Sequence, residues 1–355
     1  MKVAIIGASF ARAAYLPALR HVEGAEVVAI ASARRESAEE AAAAFAVPHA
    51  YDDWRTMLAR HAVDVVAIAT PTVTHAPMTL AALEAGAHVL CEKPTAMNAA
   101  EARAMLDAAV ARGRVHMIDH ELRFNPNRRK VRDLIRSGAL GTVRHVNIVN
   151  VTAAWGDPAS RPADDWWSSA AEGGGRLGAN GSHQVDLVRW WLGEARSVCG
   201  EALTQVPDRV DRNTGRPWTA TADDLTHFSL RMESGALVNV LISAVARHGL
   251  DNSVDIVGSE GTIRICGTNE TVHFARAGEP FEDVGVPDPN ATLEGVGGGV
   301  WNVSVVGLMR EFLAAVAEGR EPREGATFLD GLRNQEILDA VHLSTRERRW
   351  VDLYA

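Results

Sequence analysis

Lys2-Val3-Ala4-Ile5-Ile6-Gly7-Ala8-Ser9-Phe10-Ala11-Arg12 stands at the start of the sequence. The unbroken apolar run Val3–Ile6 reads as a strand buried on both faces, Gly7 as a tight turn, and Ala11–Val22 as the helix after it. In a dinucleotide-binding turn the first glycine makes the bend, the second lets the backbone approach a pyrophosphate, and the third lets helix and strand pack closely. Gly7 fills the first place, but Ser9 and Ala11 stand at the second and third, so the pattern is degraded. Ser9 could serve if its hydroxyl bonds a phosphate oxygen over the helix N-terminus, where free N–H groups favour an anion. Gly7, Ser9, Phe10 and Ala11 are therefore candidate cofactor residues, although such a turn serves bare packing about as often.

Outward from this turn the chain alternates strand and helix. Glu26–Ala31, Val63–Ala69, His88–Cys91 and Val115–Ile118 are short apolar strands, with helices expected at Glu36–Phe45, Trp54–Arg60, Ala76–Ala85 and Ala99–Arg112. Apolar strands separated by helices predict a parallel sheet in a doubly wound Rossmann fold. After about residue 122 the pattern changes to period two, in Val143–Val151, Leu225–Met232 and Ala236–Ala244, with Ser253–Val257 and Gly261–Ile265 as a further pair. Hairpin-linked alternation predicts an open, mostly antiparallel sheet with one covered face. His183–Trp191, Val305–Ala317 and Phe328–Ser344 are the helices expected to cover it, and Asp208–Thr221 reads as a polar surface loop. The fold class is α/β, with a dinucleotide-binding domain at 1–121 and an α/β domain for substrate binding and oligomerisation at 122–355.

The 355 residues suit two domains, and 47% hydrophobic with 23% charged residues is a globular balance. A formal charge of −9 disfavours nucleic acid, whose phosphates need a basic surface. Cys91, Cys199 and Cys266 are odd in number and far apart, which suggests neither a disulfide framework nor a zinc site. No His/Asp/Glu spacing supports a metal. No apolar stretch approaches the roughly 20 residues of a membrane span, and no signal peptide is recognisable. The expected location is the cytoplasm, with no membrane partner.

Two segments carry the chemistry. At the end of the second strand a NAD enzyme would place an acid for the adenosine ribose, whereas Ala31-Ser32-Ala33-Arg34-Arg35 offers a serine and two arginines. Arginine holds a 2′-phosphate bidentately, so Ser32, Arg34 and Arg35 favour NADP(H), with NAD(H) as the alternative. Leu90-Cys91-Glu92-Lys93-Pro94 follows another strand at its carboxyl end, where open α/β sheets bind ligands. A lysine there can hydrogen-bond a hydroxyl and stabilise developing oxyanion charge.

With these motifs in view, the chain resembles the Gfo/Idh/MocA family. The matching residues are the Gly7 turn, Ala69-Thr70-Pro71 with His75, Gly86 to Pro94, Arg123-Phe124-Asn125-Pro126, Gly173-Gly174-Gly175, Gly181-Ser182-His183-Gln184-Val185-Asp186, Gly258-Ser259-Glu260-Gly261-Thr262 and Asp330-Gly331-Leu332-Arg333. The resemblance implies that Thr70, Pro71 and His75 line the cofactor, that Glu92 reaches its nicotinamide ribose, and that Lys93 contacts the reacting hydroxyl. It also implies a catalytic role for His183, a group suited to take the hydroxyl proton. Asp186 lies about one helical turn on and could orient it.

One departure matters. The family commonly carries an aspartate four residues before this histidine, and here that place is Ala179. The neighbouring Asn180 would point elsewhere in a regular backbone. Arg123, Glu121, Asn180, Asp186, Trp166 and Trp167 are the substrate-pocket candidates. The reading is hydride transfer on a secondary alcohol of a sugar, cyclitol or related polyol, by Lys93 and His183. The alternatives are a non-catalytic dinucleotide-sensing protein, or a redox-neutral epimerase or lyase with tightly held cofactor. An uncovered sheet face needs a partner, so a homodimer or homotetramer through the second sheet is expected.

Overall fold

A computed structural model describes residues 1–250, 252–267 and 270–354. Six parallel strands form the first sheet: β1 (Lys2–Ile6), β2 (Glu26–Ala31), β3 (His49–Tyr51), β4 (Val65–Ile68), β5 (His88–Cys91) and β6 (His116–Ile118). Their order is β3-β2-β1-β4-β5-β6, the doubly wound arrangement whose strand order reverses between β1 and β4. Alternate side chains of β1 feed opposite cores. Val3 and Ile5 join Tyr15 and Leu16 on one face, while Ala4 and Ile6 join Met57 and Leu83 on the other.

The chain divides into two compact units, 1–125 with 288–333, and 126–287 with 334–355. A single boundary near residue 121 is therefore corrected, because the chain returns to complete its first unit. The helix Val300–Glu318 explains the return. Its Val305, Val306, Leu308, Met309, Phe312 and Leu313 share the core of Val3, Ile5 and Leu16. This helix was expected over the second sheet, but its apolar face belongs to the first. It also reaches 19 residues at a mean hydropathy of 1.4, long and apolar enough to cross a bilayer. Its packing in the core is that of a buried structural helix.

The second unit carries β7 (Val143–Val151), β8 (Ala195–Leu203), the short hairpin β9 (Asp208–Val210) and β10 (Pro217–Thr219), β11 (Leu225–Met232), β12 (Leu237–Ser243), β13 (Ser253–Gly258), β14 (Gly261–Cys266), β15 (Thr271–Arg276), β16 (Glu282–Asp283) and β17 (Val351–Asp352). All but β9 and β10 form a nine-stranded sheet, β16-β15-β14-β13-β7-β12-β11-β8-β17, antiparallel except for the β7–β12 pair. On β12 the buried residues Val238, Val240 and Ile242 alternate with Leu237, Asn239 and Leu241 on the other face. That outer face carries a polar ladder, in which Ser229 Oγ donates to Asn239 Oδ1 (2.8 Å) and Asn239 Nδ2 to Asn147 Oδ1 (3.0 Å). Leu237 and Leu241 remain exposed beside it. The segment expected as a polar loop, Asp208–Thr221, instead contains the β9–β10 hairpin and buries Arg209, which pairs with Asp224 at 3.3 Å.

Candidate functional site

Gly7 sits at φ 105°, and a Cβ there would lie 2.0 Å from the Ala69 carbonyl oxygen. No other residue fits between β1 and β4 at this point. A continuous helical run extends from Ala8 to Leu19, widened to π geometry over Ala11–Tyr15. Ala11 is fully buried and Ser9 exposed, as a close-packing position and a position open to a ligand should be. Phe10 packs edge-on against Tyr15. The turn, its exposed hydroxyl and the free N–H groups of the helix start suit a dinucleotide pyrophosphate.

The two arginines after β2 are not equivalent. Arg35 Nε donates to Glu39 Oε1 at 2.8 Å and its Nη1 lies 4.0 Å from Asp52 Oδ2. Arg34, at the N-cap of the helix Arg35–Phe45, is exposed and has no ion-pair partner among the described residues. Ser32 is half-buried and its N–H bonds Tyr51 O at 3.0 Å.

After β4, Thr70 and Pro71 form a turn fixed by polar contacts. Thr74 Oγ1 lies 2.7 Å from both Thr70 Oγ1 and Pro71 O. His75 is fully buried, with Nε2 2.9 Å from Thr70 O and Nδ1 2.9 Å from Pro94 O. Burial depresses its pKa. His75 sits between the Thr70 turn and the Lys93–Pro94 segment, and its neutral ring donates to one of the two carbonyls at a time.

Glu92 and Lys93 emerge where β5 ends. The Glu92 N–H bonds Ile68 O at 2.9 Å and the Lys93 N–H bonds Glu92 Oε2 at 3.2 Å. Lys93 Nζ lies 4.0 Å from the same oxygen, with the two side chains only 14% and 10% exposed. Tyr15 donates to Glu92 Oε1 at 3.0 Å. Sequence reasoning missed Tyr15, because a lone tyrosine among Ala11, Ala14 and Ala18 looks like core packing. Burial, then Asp119 and Glu92, push its phenol well above its usual pKa. Burial first, then Glu92 and Glu121, push the Asp119 carboxyl well above the usual carboxylate range.

Glu121 and Arg123 are buried in the turn after β6. Arg123 Nη2 lies 3.1 Å from Asp330 Oδ1, and its Nη1 donates to Gly325 O at 3.4 Å. The expected pocket arginine thus ties this turn to the returning segment. Gly331 is explained nearby, since a Cβ there would come within 2.4 Å of Thr95 Oγ1.

In the second unit the glycine run is a packing device. Gly173 and Gly175 have φ of 77° and 112°, and a Cβ on Gly174 would lie 2.4 Å from Trp166 O and 2.5 Å from Trp167 O. Trp166 and Trp167 are half-buried and stacked, ring centroids 4.1 Å apart. Asp223 accepts the Leu177 N–H at 2.8 Å, at the start of a second π turn, Leu177–Gly181. Burial raises the Asp223 carboxyl to about 6 against the opposing N–H groups of Leu177 and Arg176. The π turn leads into the helix Ser182–Leu192, where His183 and Asp186 are both buried. Asn180 Oδ1 accepts from Gln184 Nε2 at 3.4 Å, so it points along its own helix. No cluster of metal-ligating side chains occurs among the described residues.

Residues 1–120 match the oxidoreductase family with an NAD-binding Rossmann fold, GFO_IDH_MocA, and residues 128–264 match the GFO/IDH/MocA C-terminal domain. D-apiose dehydrogenase of Paraburkholderia graminis is 30% identical over 99% of this chain and 89% of that protein. Levoglucosan dehydrogenase of Pseudarthrobacter phenanthrenivorans is 29% identical over 91% of this chain and 88% of its own length. A solved levoglucosan dehydrogenase in complex with NADH and levoglucosan superimposes at a TM-score of 0.88, with 27% identity over 100% of both chains.

Proposed function

The chain belongs to the GFO/IDH/MocA family of oxidoreductases and is a nicotinamide-dependent dehydrogenase of CH–OH groups; from that premise we propose that its substrate is a sugar, cyclitol or related polyol. The observation that carries this reading is the largely buried Glu92–Lys93 pair at the carboxyl end of β5, the end of a parallel sheet where ligands bind. The named substrates of the similar dehydrogenases support the substrate class.

Gly7, Ser9, Phe10, Ala11, Thr70 and Pro71 would hold the cofactor, with His75 fixing the Thr70 turn from behind. When bound, the nicotinamide supplies the hydride acceptor. Glu92 orients the ribose end through its free lone pairs, held by Tyr15. Lys93 donates a hydrogen bond to the reacting hydroxyl and stabilises the charge that develops on its oxygen. His183 takes the hydroxyl proton. Ala179 leaves this set without a carboxylate that could accept from a sugar hydroxyl, which favours a substrate held differently from those of relatives that carry one.

NADP(H) is the favoured cofactor, on Ser32 and Arg34 rather than on both arginines, since Glu39 and Asp52 already engage Arg35. Two copies would pair through the outer face of the nine-stranded sheet, covering Leu237, Leu241 and the Ser229–Asn239–Asn147 ladder. The test is a screen of sugars, inositols and their acids with both cofactors, followed by Lys93→Ala on the polyol found. A loss of about 10²–10⁴-fold in kcat/KM is expected. Unchanged turnover would end the Lys93 assignment.

A further inference from the structure

Asp119 comes directly after β6, and its N–H bonds Cys91 O at 2.8 Å, which brings it beside Glu92 on the adjacent strand end. It is 1% exposed, and both carboxyl oxygens are sealed from solvent without a well-aligned donor. The polar groups around it are themselves acidic: Glu92, Glu121 and the Tyr15 hydroxyl, with the Cys91 thiol close by. The Tyr15 hydroxyl lies 3.0 Å from Glu92 Oε1 and also faces Asp119, so its one proton cannot satisfy both carboxyl groups. Around Glu92 the remaining titratable groups are Lys93, 4.0 Å from Oε2, and the His75 imidazole.

Two dry carboxylates side by side repel, and each also loses its hydration, a cost of several kcal/mol per ion. One proton removes both penalties, as in shared-proton carboxyl pairs. Glu92 is the partner that keeps the charge, because Lys93 and Tyr15 both favour its ionised form. The proton therefore belongs on Asp119.

We propose that Asp119 is a positioning residue: as a carboxylic acid it donates to Glu92, which Asp119 and Tyr15 together hold as a fixed carboxylate beside Lys93. The proposal rests on the reading of Glu92 and Lys93 as site residues and adds the group that sets their charge. Lys93 then has a fixed anion 4.0 Å from its Nζ. The raised titration of Asp119 agrees with this placement of the proton.

Infrared spectroscopy of the wild-type enzyme in heavy water at neutral pH should show a protonated carboxyl band that disappears in Asp119→Asn. Absence of that band in the wild type overturns the proposal whatever the substrate. NADH affinity, read by nicotinamide fluorescence from about pH 5 to about pH 9, separates positioning from mere packing. Asp119→Asn still donates to Glu92 and should stay within about threefold of wild type. Asp119→Ala removes the donor, so the acid-side loss of affinity should move up by about one pH unit. Identical profiles for the Asn and Ala variants would overturn the positioning role. If Lys93→Ala leaves turnover unchanged while the band persists, the functional reading fails and the state of Asp119 does not.

Discussion

The two π turns, Ala11–Tyr15 and Leu177–Gly181, do related jobs by different means. Each widens a helix by one residue and so rotates the next turn of side chains about the helix axis, a device that recurs at functional sites. The first is braced by backbone: Gly7 lies wedged against the Ala69 carbonyl, and paired parallel strands stand behind it. The second is braced by a side chain, the buried Asp223, whose Oδ1 would lie 2.1 Å from a Cβ on Gly175. A backbone brace tolerates nothing larger than hydrogen, whereas a carboxyl brace can shift and can titrate.

Substituting the two glycines tests that contrast most severely. Gly7→Ala should cost on the order of 3 kcal/mol or more and abolish NADH binding, since strain and clash act together. Gly175→Ala should cost about 2 kcal/mol, and Asp223→Ala in the same chain should recover part of it, because the clash is with one side chain while the φ of 112° keeps the rest. Urea midpoints with NADH titrations would check both. Equal costs, with no relief from Asp223→Ala, would erase the distinction.

Titration sharpens the comparison next. Asp223 is raised to about 6, so its contribution is present at low pH and is lost as pH rises from its unfolded value through about 6. In the first unit His116 is lowered to about 4 by burial, so its contribution is present above its unfolded pKa and is lost as pH falls toward 4. Relative to wild type, Asp223→Asn should therefore gain stability between about pH 4 and pH 7, and His116→Gln should gain as pH falls. Each change is on the order of 2 kcal/mol, measurable by urea unfolding across that range.

The smallest expected effect concerns the arginines. Arg34→Ala should weaken NADPH about tenfold with little change for NADH, a difference of about 1.4 kcal/mol. Arg35→Ala should alter neither strongly, because its guanidinium is engaged by Glu39 and Asp52. Equal losses for both cofactors would refute the 2′-phosphate reading.

Strand periodicity made both sheets legible, since buried β1 and half-exposed β12 differ in alternation alone. Motif and resemblance singled out Glu92, Lys93 and His183, and the structure adds the partners around Glu92. The ownership of Val300–Glu318 was not, because an apolar helix face does not name the sheet that it will cover. Tyr15 and Asp119 were hidden for a different reason. Their roles depend on β5 and β6 being neighbours and on the π turn rotating Tyr15 inward, and neither fact leaves a local signal. The partners of Arg35 and Arg123 were equally invisible, so both read as ligand groups when they already have carboxylates.

The return of residues 288–333 to the first unit bears on how the molecule is made. As the chain leaves the ribosome, Val3, Ile5 and Leu16 emerge long before Val305, Leu308 and Phe312, which share their core. The nucleotide-binding sheet must wait, with one apolar face unfinished, while eight of the nine strands of the second sheet are synthesised. Contacts of such sequence separation form slowly and leave sticky surface exposed meanwhile. A ribosome stalled before residue 300 would hold a nascent first unit in need of a chaperone, even though every residue of its Gly7 turn and Lys93 segment had already been translated.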